Sequence, residues 1–414
     1  MFLRKIDERI KIIFLILLLL FIFIILRVFY VQMIDYKKLN EYASDLWSRD
    51  LPLEADRGLI LDRNGVVLAD NLTTTSLVLI PNQIKDKKKT TTLLADILGV
   101  SYEEMKEHVY KETSIERVHP EGRRLSYDVA EKIAALKLDG VYLVKEAKRY
   151  YPYGNMLSHS LGYVGIDNQG LSGLELQYDK YLTGKSGAIK YFSDAKGNKL
   201  NLSDIYVEPQ DGMNISLTID INIQKSLERE LDNVVDMFSP DMALAIVMDP
   251  NNGEILGMAS RPDYNPNQYQ DYTQEVLSRN LPIWASYEPG STFKIITTSA
   301  AVEEGVVDLN KDHFYDAGSV NVDGSTLRCW KAGGHGEQTF LQVLQNSCNP
   351  GFVKMGQLLG KETLFDYIDK FGFGAKTGVD LNGEGKGIIF NLDQVGNVEL
   401  ATTAFGQGVS VTPI

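Results

Sequence analysis

The chain has 414 residues, a formal net charge of −13 and 44% hydrophobic residues. That length exceeds a single compact core and predicts two or three domains. The acidic balance argues against a nucleic-acid partner. The five histidines (His108, His119, His159, His313, His335) and two cysteines show no cluster at metal-ligand spacing, so neither a metal nor another cofactor is expected.

The first element is apolar. Residues 12–26 are uninterrupted hydrocarbon, and beyond Arg27 the character resumes to about Ile34. A helix over 12–34 is long enough to cross about 30 Å of bilayer, with Arg27 reaching for the headgroups near one end. Arg4, Lys5, Arg9 and Lys11 precede it, which places residues 1–11 inside and the body outside. A cleaved signal peptide is the competing reading. The run is long for one, and no small-x-small site follows Tyr30, so an uncleaved signal anchor is expected. The body then lies in an extracytoplasmic compartment that permits a disulfide.

Residues 35–47 read as an amphipathic helix. Residues 54–69 alternate about Asn64-Gly65, a hairpin signal. The basic run from Lys85 to Lys89 reads as a solvated loop. Residues 91–138 predict short helices with a β interruption. Strands are expected at 142–144 and 149–151, a helix start within 170–178, and a turn and strand over 184–192. A polar stretch at 207–212 marks a boundary between a membrane-proximal domain over 35–207 and a second domain over 208–414. In the second domain a strand at 215–219 precedes a helix through Gln224 and Leu231. The apolar run 243–248 reads as a strand central in a sheet, turned by residues 249–253 into a returning strand over 254–259. This order predicts an α+β domain, with helices packed on an antiparallel sheet.

After that hairpin comes the segment from Tyr287 to Lys294, Tyr-Glu-Pro-Gly-Ser-Thr-Phe-Lys, followed by an apolar helical run over 295–302. Ser291 and Lys294 are three residues apart and share a helix face. A serine hydroxyl needs a base to become a nucleophile, and a lysine amine serves if burial lowers its pKa. The spacing alone is weak, since Ser193-Asp-Ala-Lys196 repeats it in a polar stretch. Context favours Ser291, which stands at a turn-to-helix junction; a plain helix N-cap is the alternative reading. A second hydroxyl and an amide could relay the proton. Ser347-Cys-Asn349 offers both between two helical runs, although helix capping also explains these residue types. Ser278-Arg-Asn280 and Ser319-Val-Asn321 share the letters without that setting.

With these motifs the chain resembles the class B penicillin-binding proteins, monofunctional peptidoglycan transpeptidases. The likeness includes the anchor, Arg57-Gly through Gly65, Gly173-Leu-Glu175, and Leu217 to Asp220 with Gln224. It extends through Asp249 to Gly253, Glu288 to Lys294, Ser347 to Gly351, and Gly406-Gln-Gly408. The stretch from Arg328 to Gly336 is similar to the division and sporulation branch. The resemblance implies an elongated α/β pedestal, of the dimerisation type, followed by a transpeptidase domain like that of serine β-lactamases. It implies Ser291 as the nucleophile acylated by a stem-peptide D-Ala and Lys294 as the base. Ser347 would relay the proton and Asn349 would bind the substrate amide. The implied function is D,D-transpeptidation of stem peptides on lipid II-derived glycan strands in septal or spore wall synthesis, with β-lactams as inhibitors. A polytopic membrane glycan polymerase is the implied partner.

The family also has a Lys-Thr/Ser-Gly motif. Lys185-Ser-Gly187 lies too early for it. Lys376-Thr-Gly378 lies in a glycine-rich loop, so the motif is expected after Gly408, beyond Ile414; the sequence reads as C-terminally truncated and weakly reactive with penicillin. Cys348 lies inside the second motif, nineteen residues after Cys329. A disulfide between them would disturb Ser347 and Asn349, to be undone by an extracytoplasmic thiol reductase; two buried free thiols are the alternative. Rival functions are a β-lactam sensor, a serine β-lactamase, a D,D-carboxypeptidase and a non-catalytic assembly partner of the polymerase.

Overall fold

The computed structural model describes residues 2–36, 38, 39, 48–113, 115–192 and 205–414. The amphipathic helix expected over 35–47 and the Ser193–Lys196 repeat fall mainly or wholly outside them. Two compact units interleave along the chain. One comprises Met1–Asp56, Leu72–Lys148 and Gly184–Gly212; the other comprises Arg57–Asn71, Arg149–Thr183 and Met213–Ile414.

The first unit begins with the helix Phe2–Met33. Its stretch Phe14–Met33 has a mean hydropathy of 3.0 over 20 residues, which at 1.5 Å per residue matches a bilayer core. Strands Ser48–Leu53, Gly187–Phe192 and Ile205–Val207 form an antiparallel sheet in that order. A separate α/β layer carries helices Lys87–Leu98, Tyr102–Val109 and Tyr127–Ala135, which bury Leu94, Met105, Val109 and Ile133 against Leu77 and Leu79. The basic run is not a loop throughout. Asp86 caps the first of these helices by accepting from Lys89 N, so Lys87 to Lys89 form its first turn. The two strands expected at 142–144 and 149–151 are one, Val141–Tyr150.

In the second unit, the Asn64-Gly65 turn joins Ile60–Leu61 to the start of strand Val67–Leu79. Asp62 stabilises the turn by accepting from the amides of Asn64 and Val66, and Gly65 takes φ +82°. Arg57 and Glu175, distant in sequence, meet in the interior. Glu175 receives Arg57 Nε on one oxygen and Arg149 Nε on the other, each at 2.6 Å, while Arg57 Nη1 reaches Asp179 at 2.7 Å.

Asp220 caps the helix Ile221–Phe238, which packs on the hairpin of Ala243–Met248 and Ile255–Arg261. Gln224 is buried because its side chain completes a strand edge. It donates to Met258 O and accepts from Met258 N, both at 2.9 Å. Among the described residues Ala243–Met248 pairs only with Ile255–Arg261 and is mostly half-buried. Among the described residues it therefore has a strand on one side only, where a central position was expected; an apolar run reports how the faces of a strand are covered rather than how many strands flank it.

The rest of this unit is helical around one core. Helices Lys294–Glu303, Asn349–Leu359, Lys361–Lys370 and Asn397–Thr403 contribute Ile296, Ala300, Phe352, Met355, Leu364 and Ala401. Gly356 lets two of them touch, since a Cβ there would stand 2.7 Å from Ala404 Cβ. Two short hairpins, His313–Asp316 with Gly336–Thr339 and Ser319–Val322 with Ser325–Arg328, border this core.

Candidate active site

Residues Gly290–Phe293 form a 3-10 turn that runs directly into the helix Lys294–Glu303. Ser291 sits inside this turn rather than at its N-cap, and it is exposed. One turn on, Lys294 is 2% exposed. The turn is braced from Gly406, whose carbonyl accepts from Gly290 N at 2.9 Å. Gly406 has φ +80°, and a Cβ there would lie 2.0 Å from Gly290 O, so only glycine fits. Glu288 accepts from Gly408 N at 2.9 Å. The Gly-Gln-Gly segment thus docks on the serine turn.

Between the helices Phe340–Gln345 and Asn349–Leu359, Ser347 adopts φ +50°. This left-handed conformation is disfavoured for serine, and it aims both its carbonyl and its hydroxyl at Lys294. The Lys294 amine donates to Ser347 O and to Ser347 Oγ at 2.9 Å each, and to Asn349 Oδ1 at 2.7 Å. Ser347 Oγ in turn donates to Ser291 Oγ at 3.1 Å. The four expected residues therefore converge, but not by a direct Lys294–Ser291 bond; among the described residues the connection runs through Ser347. Asn349 Nδ2 donates to Arg328 O at 3.2 Å, tying the loop before Trp330 to the same centre. The sequence marked Arg328 only as the start of a stretch similar to the division and sporulation branch; its part in the site was not legible because its backbone carbonyl makes the contact.

Burial lowers the Lys294 amine to about 8, although Cys348 and Cys329 act in the opposite sense. Among the described residues no carboxylate lies within ion-pair distance of it, and it packs over the Phe352 ring at 5.0 Å. Such an amine sheds its proton near neutral pH and can take one from a hydroxyl.

Lys376-Thr-Gly378 lies on an irregular segment. Its Thr377 N and Oγ1 donate to Glu384 Oε1 at 2.6 Å each, and Gly378 N to Glu384 Oε2 at 3.2 Å. A cavity of about 380 Å³ lies beside the serine turn, lined by Tyr287, Thr292, Phe373, Thr377 and Lys386.

Behind Cys348 the structure gathers groups that the sequence reading kept apart. Asp316, Cys329, His335 and Cys348 place one ligand-type atom each within 4.8 Å of one another. The expectation of no such cluster fails because it was judged on sequence spacing, whereas the two short hairpins bring the residues together in space. Both cysteines are free and buried. Burial opposes ionisation of Asp316. Even so, hydrogen bonds from His335, the Gly318 amide and the thiols of Cys329 and Cys348 hold its carboxyl well below the usual range. Burial pushes the Cys348 thiol up to about 12, with Asp316 adding to the shift.

Comparison with known proteins identifies the two domains. Residues 243–414 match the penicillin binding protein transpeptidase domain, and residues 52–217 the penicillin-binding protein dimerisation domain. The chain is 30% identical to peptidoglycan D,D-transpeptidase FtsI of Buchnera aphidicola over 98% of its own length and 70% of the relative's. The chain belongs to the penicillin-binding protein family. Within that family it is 55% identical to stage V sporulation protein D of Bacillus subtilis, over 94% of this chain and 60% of that protein. The chain thus spans about three-fifths of that protein's length. Among solved structures it superposes on penicillin-binding protein PBP2 of Helicobacter pylori, in a complex with MreC. That TM-score is 0.73 at 27% identity, covering 88% of this chain and 74% of that one.

Proposed function

We propose that the chain carries the acyl-serine chemistry of a peptidoglycan D,D-transpeptidase. The observation that carries this reading is the unbroken line Ser291 Oγ, Ser347 Oγ, Lys294 Nζ, Asn349 Oδ1, with the amine held near a pKa of about 8. In acylation, Ser291 Oγ bonds to the carbonyl carbon of the penultimate D-Ala of a stem peptide. Its proton passes to the neutral Lys294 amine through the Ser347 hydroxyl, and returns by the same hydroxyl to the departing D-Ala amine as the peptide bond breaks. An amine of a second stem peptide then attacks the ester, forms the crosslink and frees Ser291. Asn349 orients the substrate amide. A β-lactam follows the first step and remains attached, because its leaving group stays tethered to the acyl chain.

The helix Phe2–Met33 suits a single-pass anchor, and Arg4, Lys5, Arg9 and Lys11 favour an inside N-terminus with the catalytic body outside. A polytopic glycan polymerase is the partner proposed for this arrangement. The free thiols of Cys329 and Cys348, within 4.8 Å of each other, favour oxidative inactivation reversed by an extracytoplasmic thiol reductase.

The test is labelling of the full-length protein with a fluorescent penicillin, followed by mass mapping of the adduct. The expected result is one adduct on Ser291, absent from Ser291→Ala. Labelling elsewhere, or unchanged labelling of that variant, rules out the assignment.

A further inference from the structure

We propose that Asp316, Cys329, His335 and Cys348 form a structural zinc site directly behind the second motif. The four groups are of the types zinc takes, two thiolates, an imidazole and a carboxylate, and four protein ligands make a closed rather than an open site. Two sulphur ligands argue against magnesium and calcium, which bind through oxygen.

The four ligand-type atoms already lie within 4.8 Å of one another. Bonds of about 2.0–2.3 Å imply ligand-to-ligand edges of roughly 3.3–3.8 Å. Asp316 Oδ2 lies 3.3 Å from Cys348 Sγ and 2.9 Å from His335 Nδ1, and Cys329 Sγ lies 3.4 Å from that same nitrogen. Three of the six edges thus lie at or near that range and the rest within 4.8 Å, so shifts of about an ångström would bring the four atoms around one point. Burial completes the case. Asp316 and Cys348 are at most 1% exposed, Cys329 is 9% exposed, and the His335 side chain 6%. Asp316 is also anchored from outside the cluster, accepting Gly318 N on its other oxygen at 2.8 Å, as outer hydrogen bonds hold a ligating carboxylate.

Without metal the cluster is held by protons, with the Cys348 thiol and His335 Nδ1 sharing Asp316 Oδ2. Zinc replaces them. The two thiols release their protons, and the imidazole carries its remaining proton on Nε2. The consequence reaches the proposed active site, because Cys348 lies between Ser347 and Asn349. Metal on its sulphur fixes the segment from one side, while Lys294 holds the Ser347 carbonyl from the other. Zinc binding and a Cys329–Cys348 disulfide exclude each other, since both use the same two sulphurs.

The experiment titrates reduced full-length protein with Co²⁺ and then with Zn²⁺, a readout independent of penicillin reactivity. The expected result is one equivalent of Co²⁺, a thiolate-to-cobalt charge-transfer band, and loss of the band when Zn²⁺ displaces it. Cys329→Ser and Asp316→Asn should weaken or abolish it. Should these variants fail to fold, the native protein still decides. Diamide takes two electrons and two protons from the thiols, becoming a hydrazine, and the disulfide form should bind no cobalt. Zinc should slow alkylation of Cys329 and Cys348 at least tenfold, and a chelator should restore it. A native protein without the band, a disulfide form that binds cobalt equally well, or alkylation unaffected by zinc overturns the site.

Discussion

Two buried cationic centres in the same unit differ in one respect. Around Arg57 and Arg149, each Glu175 oxygen meets a guanidinium at 2.6 Å and Asp179 meets Arg57 at 2.7 Å, so two carboxylates face two cations. Around Lys294 the partners are a carbonyl, a hydroxyl and an amide oxygen, all neutral. Burying a cation beside a carboxylate keeps it charged, and losing either partner then strands an ion in the interior. Burying a cation among neutral acceptors weakens its hold on the proton. The first arrangement secures the path of the chain; the second makes a base at the expense of local stability.

The largest expected effect separates the two centres by chemistry. Lys294→Arg keeps the charge but removes the titratable amine, and penicillin acylation of the full-length protein should fall by about 10²–10⁴-fold, as read by stopped-flow labelling. Glu175→Gln leaves Arg149 without its carboxylate and Arg57 with Asp179 alone. It should destabilise the fold by about 3–5 kcal/mol in denaturant unfolding, while soluble protein that remains folded still labels at Ser291. A smaller effect of opposite sign is expected of Lys294→Met, which removes an unpaired buried cation and should raise stability by about 0.5–2 kcal/mol. If Lys294→Met destabilises as Glu175→Gln does, the contrast between the centres is lost. The gentlest test is pH. The lysine is lowered to about 8 and acts in its neutral form, so acylation should rise with pH and level off above about 8. Below that it should fall about tenfold per unit. A flat profile from pH 6 to 9 would remove Lys294 as the base.

Legibility followed the range of the interactions. The hairpin at Asn64-Gly65 and the helix after Ser291 were readable because turn chemistry and helix period act within a few residues. The pairing of Arg57 with Glu175 was not. Each motif was visible, but nothing in the spacing says that they meet. Lys87 to Lys89 were misread as loop because the charge run concealed a cap one residue before it. The apolar run 243–248 gave the correct strand but did not say which strands flank it.

The sequence alone determined the apolar N-terminal helix, the three-residue step from Ser291 to Lys294, and the Ser347-Cys-Asn349 triplet, because a backbone period of a few residues is a local property. The tertiary structure decided how these work together. It put the Ser347 hydroxyl between serine and lysine, seated Gly406 on the serine turn, and closed Asp316, Cys329, His335 and Cys348 into one cluster. The entropy of closing a loop grows only slowly with its length. Long-range contacts therefore leave no characteristic spacing in the chain, and only packing selects which distant residues meet.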